Sequence, residues 1–211
     1  MNIKMKLLIF GSTGTIGRQL VEQALDQGHT VTAFVRNPSK ITVEHKNPRL
    51  IQGDVMDLST VEKAMYGHDT VLCTLGAGNK GVIRSEGTKH IIDAMKKTGV
   101  QRLICQTTLG AGDSRSNLNF LWKHIMFGML LRKAYEDHQL QEKYVRQSNL
   151  DWIIVRPGAF TDGARSGMYR HGFSVNDKSL KLKISRADVA DFMLKQLIDN
   201  TYLHKTPGLS Y

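Results

Sequence analysis

The sequence predicts a doubly wound parallel α/β sheet in a single domain, residues 1–211. Three observations carry this expectation. Short apolar runs alternate with segments of helical spacing, the connections between them are short, and the runs are apolar almost without interruption. The runs LLIF, LIC and WIIV read as strands buried on both faces, as parallel sheets covered by helices require.

Taken in order, Lys6 to Phe10 is a short apolar strand that ends in glycine. Ile16 to Gln27 then places Ile16, Leu20, Ala24 and Leu25 on one side of a helix. Val31 to Val35 is β-branched and aromatic and reads as the second strand, Leu50 to Ile51 as a brief third, and Thr70 to Leu75 as the fourth. Glu86 to Thr98 spaces Ile91, Ile92 and Met95 helically, and Gly99 is its expected stop. Arg102 to Gln106 gives a fifth strand, and Trp152 to Val155 a sixth that ends before Pro157. The remainder, about 157–211, is expected to form a small part that covers substrate. Asp57, just before Leu58 and Ser59, is expected to cap the next helix.

Composition narrows the function. With 211 residues, 41% hydrophobic and 23% charged, the chain is neither a disordered tail nor a fibre. The 29 Lys and Arg against 19 Asp and Glu leave a net charge of +10, which favours a phosphate- or carboxylate-bearing partner. The cations are scattered, and no aromatic-interleaved basic stripe supports nucleic-acid binding. Cys73 and Cys105 lie in apolar strands and are expected to be buried free thiols, in keeping with a reducing, cytoplasmic location. No cluster of His, Cys and carboxylate spacing points to a metal. Neither the N-terminal run nor Phe120 to Leu131 is long enough for a secretory or membrane-spanning segment, so no membrane partner is expected.

The chemistry begins at Gly11-Ser12-Thr13-Gly14-Thr15-Ile16-Gly17, which follows the first strand and opens the first helix. Gly11 and Gly14 permit a tight turn close to a pyrophosphate, Gly17 lets helix approach strand, and the free N–H groups favour an anion. The spacing is GxxGxxG, not the commoner GxGxxG. At the end of the second strand, where NAD sites carry an acid, this chain has Arg36 followed by Lys40. A guanidinium and an ammonium there favour a 2′-phosphate, hence NADPH over NADH. Asp54 reads as an acceptor for an adenine amino group, with Val55 against the ring. Leu75-Gly76-Ala77-Gly78 supplies small residues where a nicotinamide ribose would pass.

Together GSTGTIG, VRNPSK, GDVMD, TLGAG, SEGTKHIIDAMKKTGVQRLICQTT, LDWIIVRPGAFTDG and ISRADVADFML resemble the atypical short-chain dehydrogenase/reductase group. Within the group, the similarity is to the branch of NADPH-dependent flavin and biliverdin-IXβ reductases. The similarity spans nearly the whole length and is strongest from Ser85 to Thr108. It implies a Rossmann fold, NADPH, and hydride transfer to flavins or open-chain tetrapyrroles. It also implies that Thr13, Thr15 and Ile16 contact the pyrophosphate, and Arg36 and Lys40 the 2′-phosphate. Asp54 and Val55 would meet adenine, Leu75, Gly76 and Thr107 would line the path to the nicotinamide, and Pro157 and Gly158 would wall it. Thr108 falls where that branch has a serine near the hydride site. Ala159 replaces a histidine of the branch, and the stretch after Thr108 is longer and more apolar than the pattern.

The paired Tyr and Lys of the main dehydrogenase branch are absent, since Tyr66, Tyr135 and Tyr144 are followed four residues on by Thr70, Gln139 and Ser148. Alcohol–ketone chemistry therefore lacks its proton carrier. FMN, FAD, riboflavin or a biliverdin-type tetrapyrrole accepts hydride into a delocalised system and leaves the protein chiefly the work of positioning. Thr108 is the candidate catalytic residue, as an orienting hydroxyl or as one satisfied by nearby backbone. Phe120 and Trp122, with Ala159, are candidate pocket residues. The stretch Asn119 to Leu131 reads either as a lid or association surface, which its apolar residues on several faces favour, or as the core side of a long helix running on to Arg146. His124 and His138 are expected to be surface or supporting groups; Arg165 and Arg170, in the loop after Phe160, read either as holders of a propionate or flavin phosphate or, the favoured reading, as solvated cations. The alternative function is a non-enzymatic NADP(H)-binding redox sensor. A monomer with at most weak self-association is expected.

Overall fold

The computed structural model describes residues 3–41, 48–76 and 82–211. An eight-stranded sheet runs in the order β3-β2-β1-β4-β5-β6-β10-β8, with a separate β7-β9 pair. The strands are β1 Lys6–Phe10, β2 Thr30–Val35, β3 Arg49–Gln52, β4 Thr70–Cys73, β5 Arg102–Gln106, β6 Asp151–Pro157, β7 Ala159–Thr161, β8 Arg170–His171, β9 Lys183–Ser185 and β10 Gly208–Ser210. The α-helices are α1 Thr15–Asp26, α2 Leu58–Met65, α3 Ile83–Thr98, α4 Arg132–Arg146 and α5 Arg186–Lys195. The Rossmann-type doubly wound class expected from the sequence is what forms.

Strand β1 shows why both faces are covered. Leu7 and Ile9 join α1 and α5 in one core, with Leu20, Ala24, Val189 and Phe192. Leu8 and Phe10 point the other way, to Val61 of α2, Ile91 and Met95 of α3, and Val145 of α4. Period-2 alternation thus sorts one apolar run between two layers. Cys73 and Cys105 sit opposite each other on β4 and β5, buried as free thiols.

Local signals act where expected. Asp57 caps α2 by accepting from the Ser59 N–H at 3.0 Å. Gly99 ends α3 in the left-handed region at φ +80°. Strands β2, β3 and β6 run one or two residues beyond the expected ends and β4 stops two short, and the carboxyl ends of β4 and β6 bear on the cleft. Strand β4 stops at Cys73; Thr74 still donates to the Phe10 carbonyl of β1 through its N–H at 3.0 Å and its hydroxyl at 3.1 Å, and Leu75 and Gly76 lie beyond the strand. Strand β6 continues through Pro157, because proline takes the last position, where its carbonyl accepts from the Leu109 N–H at 2.8 Å.

The segment after β5 is not one long helix. Leu121–Leu130 forms a π-helical stretch, closed by a Leu131 N–H to Met126 carbonyl bond of 2.7 Å, and α4 begins only at Arg132. Phe127 faces inward with Leu109, Leu118 and Tyr135, and Trp122 packs against them half-buried. Leu121, Met129 and Leu130 are exposed. The stretch is therefore core on one side and bare on the other. Residues 157–211 are likewise only partly a cover: β10 extends the sheet and α5 buries Val189, Phe192 and Met193 against α1. Among the described residues no helix is long and apolar enough to cross a membrane, and no His, Cys, Asp and Glu group could hold a metal.

Candidate functional site

A cleft of about 470 Å³ opens at the carboxyl ends of β1, β2 and β4, where parallel sheets bind ligands. Its floor is the glycine turn. A Cβ at Gly11 would lie 2.4 Å from the Thr74 carbonyl oxygen, and one at Gly17 2.1 Å from that of Gly11. Side chains at either position would overlap backbone, so glycine is demanded by close approach. Gly17 itself lies behind the turn and holds α1 against it. Helix α1 starts at Gly14 with no side-chain cap and no acid in its first turn, an end suited to an anion.

Gly11, Thr13, Gly14, Thr15 and Ile16 line the cleft at this end. Arg36 lines it at the end of β2, with Gly53, Asp54 and Val55 alongside. Asp54 Oδ1 accepts from the Met56 N–H at 2.9 Å, which fixes the carboxylate in its own turn. Leu75, Gly76, Thr107 and Thr108 line the far end. Ala77 and Gly78 lie outside the described residues. These groups fit a dinucleotide: a bare helix start, a side-chain-free cradle, and a cation where a 2′-phosphate would sit. Lys40 is the exception. It lies exposed on the 3₁₀ turn Pro38–Lys40, which Asn37 caps, and does not line the cleft.

At its far end the cleft shares Arg84, Thr108, His138 and Phe160 with a second, apolar pocket of about 400 Å³. Trp122 and Phe127 of the π-helical stretch form one wall of this pocket, and Ala159 and Leu182 another. Three expectations need correction here. Phe120 does not reach the pocket: it precedes the first turn of the stretch, is 72% exposed, and meets the His124 ring at a tilt, with centroids 4.7 Å apart. Gly158 belongs to the apolar pocket rather than to the dinucleotide cleft. Pro157 lines neither, since β10 covers it through the Leu209 pairing.

His138, expected to be a surface or supporting group, is buried at the junction of the two cavities. Its Nδ1 lies 3.2 Å from Gln141 Oε1, while Gln141 Nε2 donates to Thr88 Oγ1 at 3.0 Å and to Cys105 Sγ at 3.3 Å. Burial, with the Arg84 cation nearby, pulls its pKa down to about 4, so the ring is neutral at pH 7. The adjacent Asp137 stabilises the start of α3, which has no cap of its own: its carboxylate accepts from the Arg84 and Ser85 N–H groups at 3.1 and 3.0 Å. Sequence spacing carried no sign of this, because α3 and α4 meet only in the folded chain.

The two candidate threonines differ. Thr107 donates to Glu142 Oε1 at 2.9 Å, and Glu142 in turn binds the buried Arg156 at 2.9 and 2.6 Å. Its hydroxyl is therefore committed to the interior. Among the described residues the Thr108 hydroxyl reaches only the Leu109 carbonyl, at 3.4 Å, and Thr108 borders both cavities. Arg186, not singled out from sequence, lines the apolar pocket, donates to Thr15 Oγ1 at 3.0 Å and pairs with Asp162 at 2.6 Å. Arg170 pairs with Asp177, and Arg165 is exposed.

Comparison with known proteins agrees with this geometry. A family model described as NAD(P)H-binding matches residues 11–200. The UPF0659 protein YMR090W of Saccharomyces cerevisiae is 29% identical over 219 residues, covering 97% of this chain and 92% of its own. ChuY, an anaerobillin reductase from Escherichia coli O157:H7, superposes with a TM-score of 0.82 at 26% identity, covering 97% of this chain and 96% of its own. A short-chain dehydrogenase/reductase from Veillonella parvula in complex with NADP has the same fold, with a TM-score of 0.80 at 17% identity over 99% of this chain and 95% of its own.

Proposed function

Because the chain belongs to the NAD(P)H-binding family, an oxidoreductase family, we propose that it is an NADPH-dependent reductase of flavins (FMN, FAD, riboflavin) or of linear tetrapyrroles. The observation that carries this reading is the shared wall of Thr108 and His138 between the dinucleotide cleft and the apolar pocket. A planar acceptor held in the pocket would meet the far end of the cleft there. Arg36 supports NADPH over NADH, since its fork matches a 2′-phosphate. The likeness to an anaerobillin reductase supports the tetrapyrrole arm.

When bound, NADPH supplies a hydride. The chain's own part is positioning. The N–H groups of Thr15 and Ile16 and the Arg36 guanidinium would hold the phosphates. Trp122 and Phe127 would lie against the acceptor ring, and Leu109, Leu118 and Leu182 would exclude water around it. Thr108 is the hydroxyl available to orient groups at the junction. His138 is neutral with its proton on Nδ1, and Ala159 has no proton to give, so an acceptor whose proton comes from solvent suits the site.

The test is to follow NADPH absorbance with FMN, FAD, riboflavin and biliverdin added separately, beside calorimetry of NADPH binding. Consumption of NADPH with one or more acceptors is expected. Coenzyme binding with no turnover of any acceptor overturns the reductase reading in favour of a redox sensor.

A further inference from the structure

We propose that Arg186 is the anion-recognition group of the acceptor pocket, so that preferred acceptors carry a phosphate or carboxylate on an otherwise apolar, planar body. The inference rests on the reductase reading above and adds a determinant of acceptor choice. Arg186 opens α5 and lines the apolar pocket, not the dinucleotide cleft. Its guanidinium lies over the Phe160 ring, 5.5 Å from the centroid, which keeps the fork at the rim of the pocket. Nε is held by Thr15 Oγ1 at 3.0 Å and Nη1 by Asp162 at 2.6 Å. Among the described residues Nη2 makes no hydrogen bond.

The ion pair with Asp162 is easily exchanged. The Asp162 side chain is 90% exposed, so water and salt weaken its hold on the guanidinium. The other cation on the pocket wall, Arg84, is engaged by Asp137 and belongs to the α3–α4 contact. An acceptor that enters between Trp122, Phe127 and Leu182 cannot bury an anionic tail among them without a partner. The tail must reach Arg186 at the rim, where Nη2 and the arm now on Asp162 offer a forked donor.

Binding of FMN and riboflavin, which differ by one phosphate, tests this by flavin fluorescence in wild type, Arg186→Gln and Asp162→Asn. Biliverdin and its dimethyl ester test the carboxylate in the same way, by absorbance. Arg186→Gln is expected to weaken FMN about tenfold, or biliverdin about tenfold if the carboxylate is the anion read, with riboflavin and the ester within about twofold. Asp162→Asn is expected to tighten the anionic ligand, since it frees the guanidinium; a pair that merely braces the fold would weaken it in both variants. Equal weakening of anionic and neutral ligands overturns the proposal, as does loss of NADPH affinity with acceptor binding unchanged. If wild type reduces FMN and riboflavin alike and Arg186→Gln alters neither, the anion site falls and the reductase reading stands. If wild type binds none of the four ligands, both fall.

Discussion

His138 donates its Nδ1 proton to Gln141 Oε1 across 3.2 Å, and a carbonyl oxygen can only accept, so the tautomer is set. Thr88 and Cys105 hold the other end of the Gln141 amide. The imidazole thus presents a bare Nε2, and burial holds its pKa at about 4, below the usual 6.5. Between those two values the unfolded chain takes up a proton that the native chain refuses. Stability should be complete above pH 6.5 and fall as pH drops toward 4, by on the order of 3 kcal/mol from this group. Urea midpoints from pH 7 to pH 4.5 check this: the wild-type decline should be steeper than that of His138→Gln, and equal slopes would refute it.

Coenzyme choice should follow Arg36. On the proposed reading, replacing Arg36 with Ala removes a charge-assisted forked contact to the 2′-phosphate, so KM for NADPH should rise roughly 10- to 100-fold. KM for NADH should stay within about twofold. Steady-state kinetics with both coenzymes decide the matter, and parallel changes would withdraw the assignment.

Beneath the cleft, Arg156 is 1% exposed and binds Glu142 at 2.9 and 2.6 Å and Asp113 at 2.5 Å. Arg156→Met removes two of the bonds to the buried Glu142 carboxylate, leaving it Thr107 at 2.9 Å and Arg146 at 3.8 Å, and should cost about 3 kcal/mol in urea unfolding. Asp113→Asn should cost under about 1 kcal/mol, because the Asp113 side chain is 64% exposed. A reversed order would mean that the network's weight lies at its solvent end.

Gly17→Ala tests the close approach of helix to turn. The added methyl would meet the Gly11 carbonyl oxygen at 2.1 Å, and backbone must move. A cost of about 2–3 kcal/mol lowers Tm by roughly 5–10 °C and should weaken NADPH binding through the displaced N–H groups. Thermal melts and calorimetry with Gly14→Ala, whose new methyl would sit 3.1 Å from the Gly11 carbonyl oxygen, provide the milder comparison.

Most of the sheet was legible because each strand carries its own signal. Lys6 to Phe10 and Arg102 to Gln106 form strands with the boundaries their apolar runs imply. The dinucleotide end was legible for a related reason: Gly11 to Gly17 and Arg36 are local in sequence, and the turn they need is local too. What escaped depends on distant pairings. Strand β10 is three residues long and acquires meaning only beside β6. His138 and Arg186 gain their roles from α4 meeting α3 and from α5 reaching the glycine turn. Phe120 was misplaced because the lid reading took the apolar residues of 119–131 as one roof, whereas only Trp122, Phe127 and Leu131 of them line the cavity.

The π-helical winding has a consequence for how acceptor range can change. In Leu121–Leu130 there are more residues per turn than in an α-helix, so each side chain advances by a smaller angle; Trp122 and Phe127 lie on the inward side, and Met129 and Leu130 on the outward one. Deleting or inserting one residue would rotate the set, carrying a different side chain over the cavity while the glycine turn and Arg36 stay put. On the proposed reading, the wall built by Leu121–Leu130 could drift while Gly11 to Gly17 and Arg36 stay fixed, whereas Thr108, His138 and Arg186, which touch both cavities or join them, could not.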